Sequence, residues 1–236
     1  MKIFCCYTKA HEPLLHDYFI PSLPADFDLH STMLELSGPG DFLSAEYLAC
    51  LHRKIDLVIA SLLDHPGEII AWSDIDIVFL RPVAAELDTM LAGSGKDILF
   101  QREGSRVADV NGGFYVLRAI PRITAFFEKV RESLAAHPGW LDQTAINQLL
   151  QDERCDLLWG YLPPAYYART HGWPPPRDIA LYHANETVGS DAVGRKIRQF
   201  QELQWVRKYG LPALAWSCFT KIPKRLKRLW RESQGK

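Results

Sequence analysis

Residues Glu68–Pro82 read EIIAWSDIDIVFLRP, an apolar run interrupted by two carboxylates, Asp74 and Asp76. Val- and Ile-rich runs of this length form buried strands, and an unpaired buried carboxylate costs several kcal/mol. Something must therefore compensate both aspartates, and a bound metal ion is one answer. In an extended segment side chains alternate with period two, so the Asp-Ile-Asp spacing puts both carboxylates on one side. Two hard oxygen ligands on one face suit the oxygen-rich octahedral sites of magnesium or manganese. Taken alone, the tripeptide leaves a plainer reading open, in which one Asp caps a turn and the other is solvated at a strand end.

On either side of this run, strand and helix patterns alternate, as they do in an α/β domain. KIFCCYT reads as a first strand and Leu36–Asp41 (LSGPGD) as a loop. Asp41 is placed to cap a helix in which Leu43, Tyr47, Leu48, Leu51, Ile55, Val58, Ile59 and Leu62 recur at helical spacing, ended by the HPG of His65–Gly67. EIIAWS then delivers the aspartates to the C-terminal end of a strand, the edge at which open α/β sheets bind ligands. Arg81-Pro82 breaks the chain before a helix around Val83–Leu91. Further on, DILFQ reads as a strand, NGGFYVLRA as a turn and strand, and PRITAFFEKVRESLAAH as a helix opened by Pro121. LDQTAINQLLQ is a short helix with Asp142 as candidate N-cap. CDLLWGYLP and IALYH are strands flanking a Pro- and aromatic-rich loop, Pro163–Arg177, and a last helix covers Asp191 to Tyr209.

With 236 residues, 47% hydrophobic and 23% charged, the chain fits one large soluble domain. Its apolar stretches fall far short of the roughly 20 residues that span a bilayer. KIFCCYT follows Met1 without the charged region and apolar core of a signal peptide. Five cysteines with neither zinc nor disulfide spacing point to reduced thiols, and so to the cytoplasm. Charge is uneven. Residues 205–236 carry nine Lys or Arg against one Glu, which leaves residues 1–204 at net −9. That polarity argues against nucleic acid as a partner and divides the chain into an acidic body, 1–204, and a basic aromatic tail, 205–236. The tail interleaves Trp205, Tyr209, Trp216, Phe219 and Trp230 with its basic residues, a composition suited to an anionic membrane surface.

Several blocks together resemble the nucleotide-diphospho-sugar transferase family of GT-A-fold glycosyltransferases. They are the D-x-D with its Leu80-Arg81-Pro82 exit, Asn111-Gly112-Gly113-Phe114-Tyr115, Asp142-Gln143, and His183-Ala184-Asn185 with Gly189 and Lys196, in the family's order between Leu48 and Arg198. The resemblance implies a single α/β domain, GT-A (Rossmann-like), with a central mixed, mostly parallel sheet flanked by helices. It implies Mn2+ or Mg2+ held by Asp74, Asp76 and His183, with Asp74 also facing the donor ribose. It places a nucleotide-sugar donor, most commonly a UDP-sugar, against Thr8 and Lys9 at the base and against Lys196, helped by Arg195, at the phosphates. Lys54 is a weaker candidate for the phosphates or for buttressing the D-x-D. Asn111 would orient the transferring sugar or acceptor, Asp142 would grip donor hydroxyls, and Gln143 would lie below the anomeric carbon. The acceptor would be a hydroxyl of a glycan or lipid-linked sugar, reached with retention of configuration. Tyr166, Tyr167, His171 and Trp173 are equally readable as an acceptor platform or as loop packing.

Two rivals stay open at this level. DIDIV also fits the D-x-D-x-[TV] of haloacid-dehalogenase-like phosphatases, although no downstream acidic pair follows and the motif sits on the third strand, not the first. A glycan- or nucleotide-binding module of the same fold without turnover is the non-enzymatic rival.

Overall fold

A computed structural model describes residues 1–36, 38, 41, 43–104, 108–152, 155–185 and 190–219. The described residues form nine strands, β1 (Lys2–Thr8), β2 (Asp28–Leu34), β3 (Ile69–Ser73), β4 (Ile77–Phe79), β5 (Ile98–Arg102), β6 (Val110–Arg118), β7 (Trp159–Tyr161), β8 (Tyr166–Ala168) and β9 (Leu181–His183). The longer helices are α1 (Ala45–Asp64), α2 (Ala84–Ser94), α3 (Pro121–Ala136), α4 (Asp142–Gln151) and α5 (Ala192–Tyr209), and short helical turns fill Lys9–Ser22.

Six strands form one mixed sheet in the order β2-β1-β3-β6-β5-β7, in which β6 alone runs antiparallel to its neighbours β3 and β5. β4, β9 and β8 form a second, three-stranded sheet. The β6 sequence shows why the main sheet lies at the centre. Phe114 and Val116 join the core on one face, while Tyr115 and Leu117 join the core on the other, where α1 and α3 contribute Ile55, Val58, Phe127 and Val130. Burial on both faces turns the period-two pattern into a nearly continuous apolar run.

Asp41 does not cap α1. Ser44 does, its Oγ accepting from Tyr47 N at 3.2 Å, while Asp41 accepts from Ala192 N at 3.4 Å. Leu43 precedes the helix in a left-handed conformation, so its place in the apolar stripe is lost. Gly112 and Gly113 make no turn; they lie inside β6, and neither has a positive φ. Asp142 is the first residue of α4, with Leu141 at the N-cap. The Pro163–Arg177 segment contains strand β8 and a helical turn at Arg169–His171. β2, DLHSTML, escaped the sequence reading because it is an edge strand whose mostly uncovered side chains carry no clean alternation. Position 204 lies inside α5, and residues 211–219 are helical. Among the described residues, no helix is long and apolar enough to cross a membrane.

Candidate active site

The two aspartates sit where the chain leaves one sheet for the other. Asp74 N donates to Gly113 O at 2.7 Å, the last link to the main sheet, and Ala184 N donates to Asp76 O at 2.8 Å, the first link to the small one. Ile75 is buried between them. The carboxylates therefore converge through a crossing between sheets, not through pleat alternation along one strand. With His183 they offer ligand atoms that all lie within 4.8 Å of one another.

Each carboxylate meets a different cation. Lys54 comes from α1, 4% exposed, with its ammonium 2.8 Å from Asp74 Oδ1 and 2.8 Å from Asp142 Oδ2 while donating to Gly112 O at 2.9 Å. Burial alone would lower its pKa, but Asp142 and Asp74 outweigh that and hold it well above the ordinary lysine value. Lys196, from α5, lies 2.7 Å from Asp76 Oδ2, and His183 Nε2 lies 3.2 Å from Asp76 Oδ1. Burial works against ionised Asp76, yet the Lys196 ammonium, the strongest of its charged neighbours, holds its carboxyl far below the usual range. Asp74 goes the other way. Its burial and the neighbouring Asp76 and Asp142 raise it despite Lys54.

These contacts place three carboxylates against two ammonium groups, so the cluster can accept a further cation. The donor set fits one. Asp76 Oδ1 is buried and, although it lies beside His183, accepts no well-directed hydrogen bond; Asp142 Oδ2 meets the Lys54 ammonium and, among the described residues, no other donor. His183 explains the first gap. Its Nδ1 lies 2.8 Å from Gln101 Oε1, and Gln101 Nε2 donates to Tyr166 O at 3.1 Å, so the amide must present its oxygen to the ring. Nδ1 therefore carries the proton that Gln101 accepts, and Nε2 is the ring atom that faces Asp76, where a metal ion between them would find a nitrogen and an oxygen ligand.

Gly112 and Gly113 supply room. A Cβ on Gly113 would stand 2.4 Å from His183 Cε1 and 3.0 Å from both Asn111 Oδ1 and Asp74 Oδ2. One on Gly112 would stand 3.2 Å from Asp142 Oδ2. Here glycine serves close approach of side chains to a strand backbone. Asn111 turns its amide to Glu103 at 2.5 Å and accepts from Gly113 N at 2.8 Å. Gln143 Oε1 accepts from Gly112 N at 3.3 Å.

Thr8, Lys54, Asp74, Asp76, Asn111, Asp142, Gln143, His183 and Lys196 all line one cavity of about 400 Å3. Lys9 is exposed outside that lining, Arg195 is not part of it, and Gly189 lies outside the described residues. The loop aromatics pack into the body. Tyr166 stacks on Phe114 and Tyr167 on Tyr182, while Trp173 lies under Arg169. Thr170 is the residue of that segment that reaches the cavity. Sequence reasoning missed His11, Gln101 and Glu103. His11 pairs with Thr8 Oγ1 at 2.8 Å, and its pKa is pushed down to about 4, first by burial and then by Lys196. A lone histidine in a helical turn and a polar residue inside the strand DILFQ carried no signal beyond, for Gln101, a polar interruption of an apolar run.

No curated protein matches the sequence. Among solved structures, a glycosyltransferase involved in the glycosylation of the major capsid of PBCV-1 superposes with a TM-score of 0.58 at 13% identity, over 84% of this chain and 98% of that one. The apo-form glycosyltransferase GlyE of Streptococcus pneumoniae TIGR4 superposes with a TM-score of 0.52 at 9% identity, over 84% of this chain and 59% of GlyE, so the chain spans about three fifths of that protein. At such identities the likeness shows the fold, an α/β architecture of GT-A glycosyltransferase type. The sequence matches the nucleotide-diphospho-sugar transferase model over residues 23–192, a span that contains every site residue above except Thr8, His11 and Lys196. The chain therefore belongs to the nucleotide-diphospho-sugar transferase family and is a glycosyltransferase.

Proposed function

We propose that the protein transfers a sugar from a nucleotide diphosphate donor, a UDP-sugar, to a hydroxyl of a glycan or lipid-linked acceptor, with retention and with Mn2+ or Mg2+ held by Asp74, Asp76 and His183. The observation that carries this reading is the convergence of nine candidate residues from separate elements on one cavity at the C-terminal end of β3. When bound, the divalent cation supplies charge neutralisation to the diphosphate leaving group. Lys196 lies on Asp76 and is positioned to pair with phosphate oxygens at the same place. Asp142, oriented by Lys54, accepts from donor-sugar hydroxyls, and its Oδ2, which meets no donor but Lys54 among the described residues, favours that role. Asn111 and Gln143 flank the reacting sugar from β6 and α4. Thr8 ends β1 on the nucleotide side. Retention rests on the family resemblance, with the acceptor hydroxyl attacking the face that the diphosphate leaves and passing its proton to the departing phosphate oxygen.

The acceptor's location follows from the tail. Trp205, Tyr209, Leu211, Trp216 and Phe219 are exposed on α5 and residues 211–219, and the basic sequence Lys221–Arg231 follows, outside the described residues. Aromatic rings beside Lys and Arg favour an anionic headgroup layer, which supports a cytoplasmic enzyme docked on the inner membrane face. Co-sedimentation with anionic vesicles should weaken with salt and vanish on truncation after Cys218; salt-insensitive binding, or none, removes this part of the reading.

The transfer itself is tested by screening nucleotide sugars for thermal stabilisation with and without Mn2+, since a ligand of the native state raises Tm. The matching donor should stabilise the wild type only with metal and should not stabilise Asp76→Asn, which lacks a hard anionic ligand. Metal-independent stabilisation, or wild-type turnover by Asp76→Asn, would refute the assignment. Proton NMR of the product's anomeric signal reads retention, and an inverted linkage would overturn it.

A further inference from the structure

The Gln101 side chain is fully buried at the end of β5 and makes two directed bonds, one to each of two other strands. Its Nε2 donates to Tyr166 O in β8 at 3.1 Å, and its Oε1 lies 2.8 Å from His183 Nδ1 in β9. A backbone carbonyl can only accept, so the amide orientation is fixed by chemistry and the oxygen is the atom that faces the imidazole. We propose that Gln101 is the positioning residue that keeps the proton of His183 on Nδ1 and thereby keeps Nε2 available as a metal ligand. Free imidazole has two tautomers, and a proton on Nε2 would instead donate to Asp76 Oδ1, 3.2 Å away, closing the site with an internal hydrogen bond. Gln101 removes that competitor. Because its own anchor is the β8 backbone, the Pro- and aromatic-rich segment helps set the geometry of the metal ligand without contributing a side chain to it.

This inference rests on reading Asp74, Asp76 and His183 as a metal site. The test therefore uses two readouts that do not depend on turnover. Imidazole nitrogen NMR on the full chain, with and without Mg2+, should show a proton on His183 Nδ1 in both states. Mn2+ affinity measured by the loss of the free-ion EPR signal should fall about 10–100-fold in Gln101→Leu or Gln101→Met, whichever stays folded, with the Nδ1 proton lost. Gln101→Glu keeps an acceptor for Nδ1 but, as a carboxylate, no donor for Tyr166 O, and should retain the Nδ1 proton; its loss there overturns the proposal. An unprotonated Nδ1 in the wild type, or unchanged Mn2+ affinity in the apolar variants, overturns the proposal while leaving the metal site standing. A wild type that binds no Mn2+ overturns the metal reading and this proposal with it.

Discussion

Gly113→Ala isolates the steric requirement of the site, because the added methyl would stand 2.4 Å from His183 Cε1 when ordinary contact begins at 3.4 Å. One of the two must give way by about 1 Å, and metal ligands tolerate only about 0.2 Å. The ring has little freedom. His183 is 4% exposed, its Nδ1 is held by Gln101 at 2.8 Å, and its backbone is paired with β4 and β8. The backbone of Gly113 is equally held, between the Asn111 side chain and Asp74 N. Overpacking of this kind costs about 1–3 kcal/mol in stability. Displacement of one of three protein ligands should weaken Mn2+ binding by at least about tenfold, which corresponds to about 1.4 kcal/mol. Gly67→Ala serves as the control, since Gly67 has φ +81° with nothing within 4 Å and lies in the turn before β3, at the far end from Asp74. That variant should lose about 1 kcal/mol through backbone strain and keep its metal affinity. Mn2+ titration by EPR alongside urea unfolding separates the two effects. Wild-type affinity in Gly113→Ala would show that His183 does not form the site with Asp74 and Asp76.

Lys54→Met leaves buried Asp142 and half-buried Asp74 without their shared ammonium and should lower stability by about 3 kcal/mol in urea unfolding; a loss under about 1 kcal/mol would mean that water replaces the lysine. Gln143→Ala should reduce turnover more than donor affinity, because a group near the reacting carbon acts mainly in the transition state, and equal losses would assign it the structural task of holding Gly112 N. His11 is held neutral in the fold down to about pH 4, whereas in the unfolded chain it binds a proton below about 6.5. Acid therefore favours unfolding. Stability is complete above pH 6.5 and should fall by up to about 3 kcal/mol toward pH 4, relative to His11→Gln. Parallel stability curves for the two proteins between pH 7 and 4 would refute that burial.

Much of the architecture was legible because it is local. Short continuous apolar runs such as IIAWS and FYVL and helical stripes such as Ile55, Val58, Ile59 and Leu62 declare their element without reference to anything distant. Pro121 at the start of α3 and Gly67 after α1 mark boundaries through their own dihedral preferences. The order of the D-x-D, N-G-G, D-Q and late histidine blocks was likewise readable along the chain. Partnership was not, because side chains that meet across the fold leave no periodic trace. Lys54 precedes Asp142 by 88 positions and bridges it to Asp74 only because α1 packs across the sheet end. Gln101 reaches His183 over 82 positions, and inside DILFQ it looked like any polar residue in a strand. The glycines illustrate the limit most directly. Sequence shows that Gly112 and Gly113 lack side chains, which a turn would also require; only the folded chain, bringing Asp142 over one and His183 over the other, decides that their purpose is space.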